Sequence, residues 1–369
     1  MNLRKLIARV GVACLVTALW AAPAEAAVER AYIVVLNGDV GAYTHRFESV
    51  EHVYTAALHG FSVRLSEKEA ETLAGESGVD MVVPDTPVHA LGEQPNPPSW
   101  GLDRIDQHDL PLDAVYRYPN EAPDVTAYVI DTGVRPTHQD FGGRVLPGHD
   151  FVDDDTDASD GNGHGTFVAG IIGGTRFGVA KRIGIVPVKV LGDNGAGTIA
   201  DVIAGIDWVT ANAAGPSVAN LSLGGSPNTA LDEAVRNSIA SGVTYAVAAG
   251  GSGTDAGNFS PARVVEALTI GASDSRDCLP SNTNRGSVVD MFAPGVNIVG
   301  PVSTTDTAFA TFSGSSFSAP HVAGAAGIYL EDHPTASAAE VSAALVAAST
   351  RDRLCNVPAG TANRLLFVG

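Results

Sequence analysis

The chain has 369 residues, 45% of them hydrophobic, with 41 acidic side chains against 22 basic ones and a formal net charge of −19. That length supports one large core and a small additional unit. The charge argues against nucleic acid or an anionic membrane surface as a partner, and suits a soluble chain able to hold cations.

Arg4, Lys5 and Arg9 precede an apolar run at 10–22, and Ala24, Glu25 and Ala26 form a small-x-small cleavage pattern. Residues 1–26 are therefore expected to be a secretory signal. The run is too short to span a bilayer and no second one follows, so a secreted, extracellular protein is expected rather than an anchored one. Cys14 would leave with the signal. Cys278 and Cys355 remain as an even pair in an oxidising compartment, either as a disulfide or as separate thiols.

Residues 27–91 read as a small α+β unit. Strands are predicted at 32–36, across 53–65 with a break at Gly60, and at 81–83. Ser66 and Glu69 make a capping box that opens a helix to about residue 74. The proline-rich, polar stretch 93–99 reads as a linker to a second domain, 92–369.

Beyond it, strands alternate with helices. Strands are predicted at 125–130, 185–191, 218–223, 243–248 and 267–270. Helices are predicted from His164, at 198–211 and 229–239, from Ser316 to Leu330, and after the Ser337–Glu340 cap. This alternation predicts an α/β three-layer fold, a mostly parallel sheet covered by helices on both faces. Ligands of such sheets gather beyond the carboxyl ends of strands, where Asp131, Gly224 and Gly250 all fall.

Three segments carry the chemistry. Asp131 ends an apolar strand, His164 stands between glycines, and Ser316 lies in a run of small residues before a helix with Pro320 in its first turn. A serine hydroxyl needs a base within hydrogen-bond reach, and that base needs a carboxylate to fix its tautomer. Each segment alone is an ordinary turn or strand end. The order Asp, His, Ser on an alternating chain makes the three a candidate catalytic set.

These segments resemble the subtilisin-like serine proteases, family S8, and most of all their proteinase K branch. The segments beginning at Trp100, Gly178, Val188, Ser222, Asn258 and Asp290 carry the likeness, as does the closing Asn363-Arg364-Leu365-Leu366, so it spans 100–369. Residues 31–85 resemble that family's inhibitor-like propeptide, shortened between Val40 and His52. The resemblance implies a monomeric endopeptidase acting on polypeptides, with its own propeptide as a partner in cis and self-cleavage between about Val88 and Gln94. Gly195, Ala196 and Gly197 on one side, and Ser222, Leu223 and Gly224 on the other, would bracket an extended peptide as added strand partners. Small, uncharged walls at residues 223–225 and 248–250 would favour an apolar or aromatic side chain before the cut.

The chain departs from the family at three places. Gly251 stands where the family has an asparagine whose amide donates to the oxyanion, and loss of one such donor costs roughly 10²–10³ in turnover. Ser252 is a substitute donor by proximity in sequence. Phe167 replaces a usual histidine and Phe317 a usual methionine, changes expected to alter packing. A silent binding or decoy module is the rival reading. A serine esterase is disfavoured because the Gly-x-Ser-x-Gly elbow is missing and the order of the three residues is wrong.

Two calcium sites are expected, both structural, with no cofactor in the chemistry. One is the acidic loop with Asp150, Asp153, Asp155 and Asp157, which also contains Asp154 and Asp160. Its spacing to His164 resembles the calcium loop of thermitase. A solvated acidic run or a selector of cationic substrates are the alternatives. The other, by resemblance to the proteinase K branch, is the Asp290 carboxylate with the carbonyls of Val265 and Ala267.

Overall fold

A computed structural model describes residues 29–86 and 92–369. The expected signal segment 1–26 and residues 88–91 of the expected cleavage stretch lie outside them. The chain divides into two compact units after Val88, and each is taken by itself.

The small unit runs β1 Arg30–Leu36, α1 Gly41–Thr44, β2 Val50–Tyr54, β3 Gly60–Leu65, α2 Glu67–Ala74 and β4 Val79–Pro84. Its strands form an antiparallel sheet in the order β2-β3-β1-β4. Tyr32, Val34 and Leu36 alternate inward along β1 and meet Phe61, Val63, Ala70 and Leu73. The Ser66–Glu69 capping box opens α2 as expected. Between Val40 and the start of β2 at Val50 the only helix is the single turn of α1.

In the large unit the expected linker is corrected. Gly92–Pro95 is a strand, β5, antiparallel to β6 Val115–Tyr118. Lys181 Nζ donates to Gln94 Oε1 at 2.6 Å, and Gln94 Nε2 to the Arg176 carbonyl at 2.9 Å. Pro95 is tolerated because it closes a short two-stranded edge.

Helix α3 Trp100–Ile105 follows, then β7 Thr126–Asp131, β8 His149–Asp150, α4 His164–Gly173, β9 Gly184–Lys189, α5 Ile199–Asn212, β10 Ser217–Leu221 and α6 Thr229–Ala240. The chain continues with β11 Thr244–Ala248, β12 Leu268–Ser273, β13 Met291–Pro294, the hairpin β14 Ile298–Pro301 and β15 Phe309–Phe312, α7 Ala319–Asp332, α8 Ala338–Ala348, β16 Thr350–Arg351 and β17 Arg364–Leu365. The central sheet has the order β16-β17-β13-β12-β11-β10-β7-β9-β8, parallel except at β16.

Strand parity positions the site. Along β7, Tyr128 and Ile130 join the core under α5 and α6, while Ala127 and Val129 join the core under α4 and α7. Asp131 shares the parity of Val129, so the strand delivers its carboxylate to the α4 face, at the carboxyl end of the sheet. Cys278 and Cys355 form a disulfide across a separation of 77 residues, which closes the alternative left open by the sequence.

Candidate active site

Asp131 is fully buried. Its Oδ1 accepts the Thr132 N–H at 2.8 Å and faces His164 Nδ1 at 2.7 Å. His164 is the first residue of α4, behind Gly163 at φ 105°, a left-handed conformation that favours glycine. A Cβ on Gly165 would lie 2.1 Å from the Gly133 carbonyl, so glycine is required for the helix start to approach the turn after Asp131. Burial on its own would lower the His164 pKa. The charge and hydrogen bond of Asp131, with Asp160 further off, outweigh it and hold the imidazole above its ordinary value.

Asp160 clamps this junction. Its Oδ1 accepts from Thr132 Oγ1, Asn162 N–H and Gly163 N–H, and its Oδ2 from Thr166 N–H and Oγ1. Buried Lys189 supports the other side, donating to the Thr132 and Leu191 carbonyls at 2.9 and 2.8 Å. By sequence alone Asp160 is one more carboxylate of the acidic loop. The available signal was its place in Asp160-Gly161-Asn162-Gly163, a turn-forming run directly before the histidine.

Ser316 sits in a 3₁₀ turn, Ser315–Phe317, one step before α7. The helix starts at Ala319 rather than at Ser316, with Pro320 in its first turn. The turn is tied to two strand ends: Ser222 Oγ donates to the Ser316 carbonyl at 2.8 Å, and Ser315 Oγ accepts the Gly250 N–H at 3.0 Å. Ser316 Oγ itself donates to the Ser222 carbonyl at 3.2 Å. The Ser316 backbone N–H makes no hydrogen bond within the described chain, leaving it free for an incoming oxygen. His164 and Phe317 lie with ring centroids 5.4 Å apart, so the histidine and the serine turn are neighbours. Phe317 meets Phe167 at 4.8 Å, which makes two of the three departures noted in the sequence one packed pair. His321, buried and pushed down to about 4 by that burial, spends Nδ1 on the Phe317 carbonyl and is neutral scaffolding.

Two cavities meet at Ser222, Leu223 and Gly224. One runs beside His164 along Gly195, Ala196 and Gly197. Ala196 engages both of its backbone groups locally, its carbonyl with Gly192 N–H and its N–H with Asn194 Oδ1, and the Gly195 N–H donates to the Gly192 carbonyl, so the Gly195 carbonyl and Gly197 are the freer partners for a peptide. The other cavity, about 430 Å³, opens beside Ser316 between Leu223-Gly224 and Ala248-Ala249-Gly250, with Phe259 and Ala262 behind them and no charged residue in its wall. Gly251 lies on its rim, without a side chain to offer.

The acidic loop does not line either cavity, which removes the support for its role as a substrate selector. Asp150 Oδ1 accepts the Val152 and Asp153 N–H groups, Asp155 Oδ1 that of Asp157, and Asp157 Oδ1 that of Ser159. No three described His, Cys, Asp or Glu residues gather as a metal-holding group, and these loop carboxylates are engaged by local backbone N–H groups. Asp290 is different. Its Oδ2 accepts the Thr269 N–H at 2.8 Å, yet desolvation, against that bond and the Arg364 charge, pushes its carboxyl up to about 6. A carboxylate desolvated in this way is chemically suited to a hard cation.

Comparison with known proteins agrees with this geometry. Residues 123–364 match the Subtilase family, Peptidase S8, and residues 21–91 match Peptidase inhibitor I9. An extracellular serine proteinase of a Thermus species is 47% identical over 86% of this chain and 77% of its own. Alkaline serine exoprotease A of Vibrio alginolyticus is 46% identical over 86% of this chain, which spans 60% of that protein's length. A subtilisin-like serine protease of Penicillium rubens is 38% identical over 96% of this chain and 94% of its own. The crystal structure of a cold-adapted subtilisin-like serine proteinase superposes with a TM-score of 0.72 at 50% identity, covering 73% of this chain and 98% of that one.

Proposed function

This chain belongs to the subtilase family of peptidases, and from that premise we propose that it is a secreted serine endopeptidase using Asp131, His164 and Ser316. The observation that carries the reading is the buried Asp131 carboxylate 2.7 Å from His164 Nδ1, beside a serine turn tied to the same cleft.

A peptide laid along Gly195 and Gly197 and along Ser222 to Gly224 presents its carbonyl to Ser316. A rotation of the Ser316 side chain brings Oγ to His164 Nε2, which takes its proton as Oγ bonds the carbonyl carbon. Asp131 holds the ring in the tautomer that leaves Nε2 free, and stabilises the imidazolium. The same proton then goes to the leaving amine, and water repeats the sequence on the acyl-enzyme. The uncharged cavity beside Ser316 takes an apolar or aromatic side chain before the cut.

Residues 27–91 act as a propeptide in cis. Self-cleavage falls between about Val88 and Gln94, and the anchoring of Gln94 within the large unit supports a cut before Gly92. Calcium enters the proposal at Asp290 with the Val265 and Ala267 carbonyls, as a structural ion outside the chemistry.

Digesting a mixed peptide library with the mature chain and reading the new termini by mass spectrometry tests this. Cuts after Phe, Tyr, Leu or Met are expected, and none from Ser316→Ala. Cuts after Lys or Arg, or activity surviving in Ser316→Ala, would contradict it.

A further inference from the structure

The endopeptidase reading leaves one half of its oxyanion site empty, because Gly251 brings no donor to the cavity that Ser316 borders. A Cβ built on Gly251 would meet only Asn282, with the carbonyl oxygen at 3.9 Å and Nδ2 at 4.0 Å. The volume that a side-chain amide at position 251 would fill is therefore bordered by an amide from another loop. Asn282 lines the same cavity as Ser316, and its side chain has no hydrogen-bond partner among the described residues.

The backbone under Asn282 is firmly mounted. Its carbonyl accepts the Gly253 N–H at 2.8 Å. Thr283 Oγ1 accepts the Ala272 N–H at 3.0 Å. Asn284 accepts the Ser252 N–H at 2.9 Å and the Thr254 N–H at 3.2 Å, and donates to the Ala249 carbonyl at 2.8 Å. These bonds fix the Asn282 Cα against the loop that follows β11, so only its own side-chain torsions remain to be set. A donor on such a mount loses little freedom when a substrate oxygen arrives.

We propose that Asn282 supplies the missing oxyanion donor. When Ser316 Oγ bonds the peptide carbonyl carbon and His164 takes the hydroxyl proton, the carbonyl π pair moves onto oxygen. Asn282 Nδ2–H and the Ser316 backbone N–H then hold that negative oxygen together. Asn282 thereby does from the β12–β13 loop what the family does from position 251. The inference rests on the endopeptidase reading, and its test separates the two.

The experiment compares mature wild type, Asn282→Ala, Asn282→Asp, Ser252→Ala and the double variant Gly251→Asn/Asn282→Ala on one chromogenic peptide, with Ser316 labelled by a fluorophosphonate. Asn282 is exposed, so neither replacement disturbs the core, and aspartate keeps the shape while removing both N–H groups. Both Asn282 variants are expected to lose roughly 10²–10³ in kcat with KM little changed. The double variant should regain most of the loss, because an amide at 251 does the same work.

Wild-type turnover in Asn282→Ala and Asn282→Asp would overturn the inference and leave the endopeptidase standing. So would a kcat loss carried by Ser252→Ala instead, or a double variant as slow as Asn282→Ala. A wild type that neither cuts peptide nor labels at Ser316 would overturn both readings.

Discussion

At the residue scale, the pH response is set by the Asp131–His164 pair. His164 must be neutral to take the serine proton, and Asp131 with Asp160 holds its pKa up against burial. kcat/KM should therefore rise with pH through a midpoint above the ordinary imidazole value of about 6.5. Asp131→Asn should shift that midpoint down and lower kcat by about 10⁴, because the ring loses both its charge partner and its tautomer. A pH–rate profile of the two forms checks this; an unchanged midpoint would mean that Asp131 does not control the ring. Asp131, His164 and Ser316 were legible because each has a distinctive neighbourhood of glycines, small residues or a strand end. Asp160 was not, since one carboxylate in an acidic run looks like the next until its five hydrogen bonds are seen. Nor was the meeting of Phe167 with Phe317, which are 150 positions apart in sequence.

Elements with local signals were readable to within a few residues. Thr198 with Asp201, and Ser337 with Glu340, form the capping boxes that start α5 and α8. The β14–β15 hairpin and the Gly92–Pro95 strand escaped, because their pairing partners and not their own composition make them strands. Long-range ties of the same kind hold α3. Arg104, fully buried, donates to both oxygens of Asp277 at 2.7 and 2.9 Å. Arg104→Ala would leave that carboxylate buried and unpaired, at a cost of about 3–5 kcal/mol. Denaturant unfolding reads this directly, and a loss under 1 kcal/mol, the worth of a surface pair, would refute it.

Asp290, next to β13, links stability to pH and cation. Its carboxyl titrates at about 6 in the folded chain and near 4 when unfolded. The fold thus binds that proton more tightly, and in chelator this group's contribution to stability is lost as pH rises from about 4 through about 6. The calcium proposed at Asp290 would bind the ionised form, so it should raise the melting midpoint more at pH 8 than at pH 5. Equal midpoints with and without calcium at pH 8 would exclude the site.

On the scale of the whole molecule, the alternation of strands and helices made the three-layer fold readable from sequence, and the small N-terminal unit readable beside it. A parallel sheet puts its loops at one end, and that is why residues as distant as His164, Ser222, Gly250 and Ser316 border one cleft. Whether the assembled cleft performs covalent chemistry is the question on which the account stands. A single measurement addresses it: mass spectrometry of the mature wild type and His164→Ala after treatment with a fluorophosphonate. The account predicts one equivalent of label per chain, on Ser316, and no label at that residue when His164 is removed. Label absent from Ser316 in folded wild type, or carried there equally by His164→Ala, would contradict it.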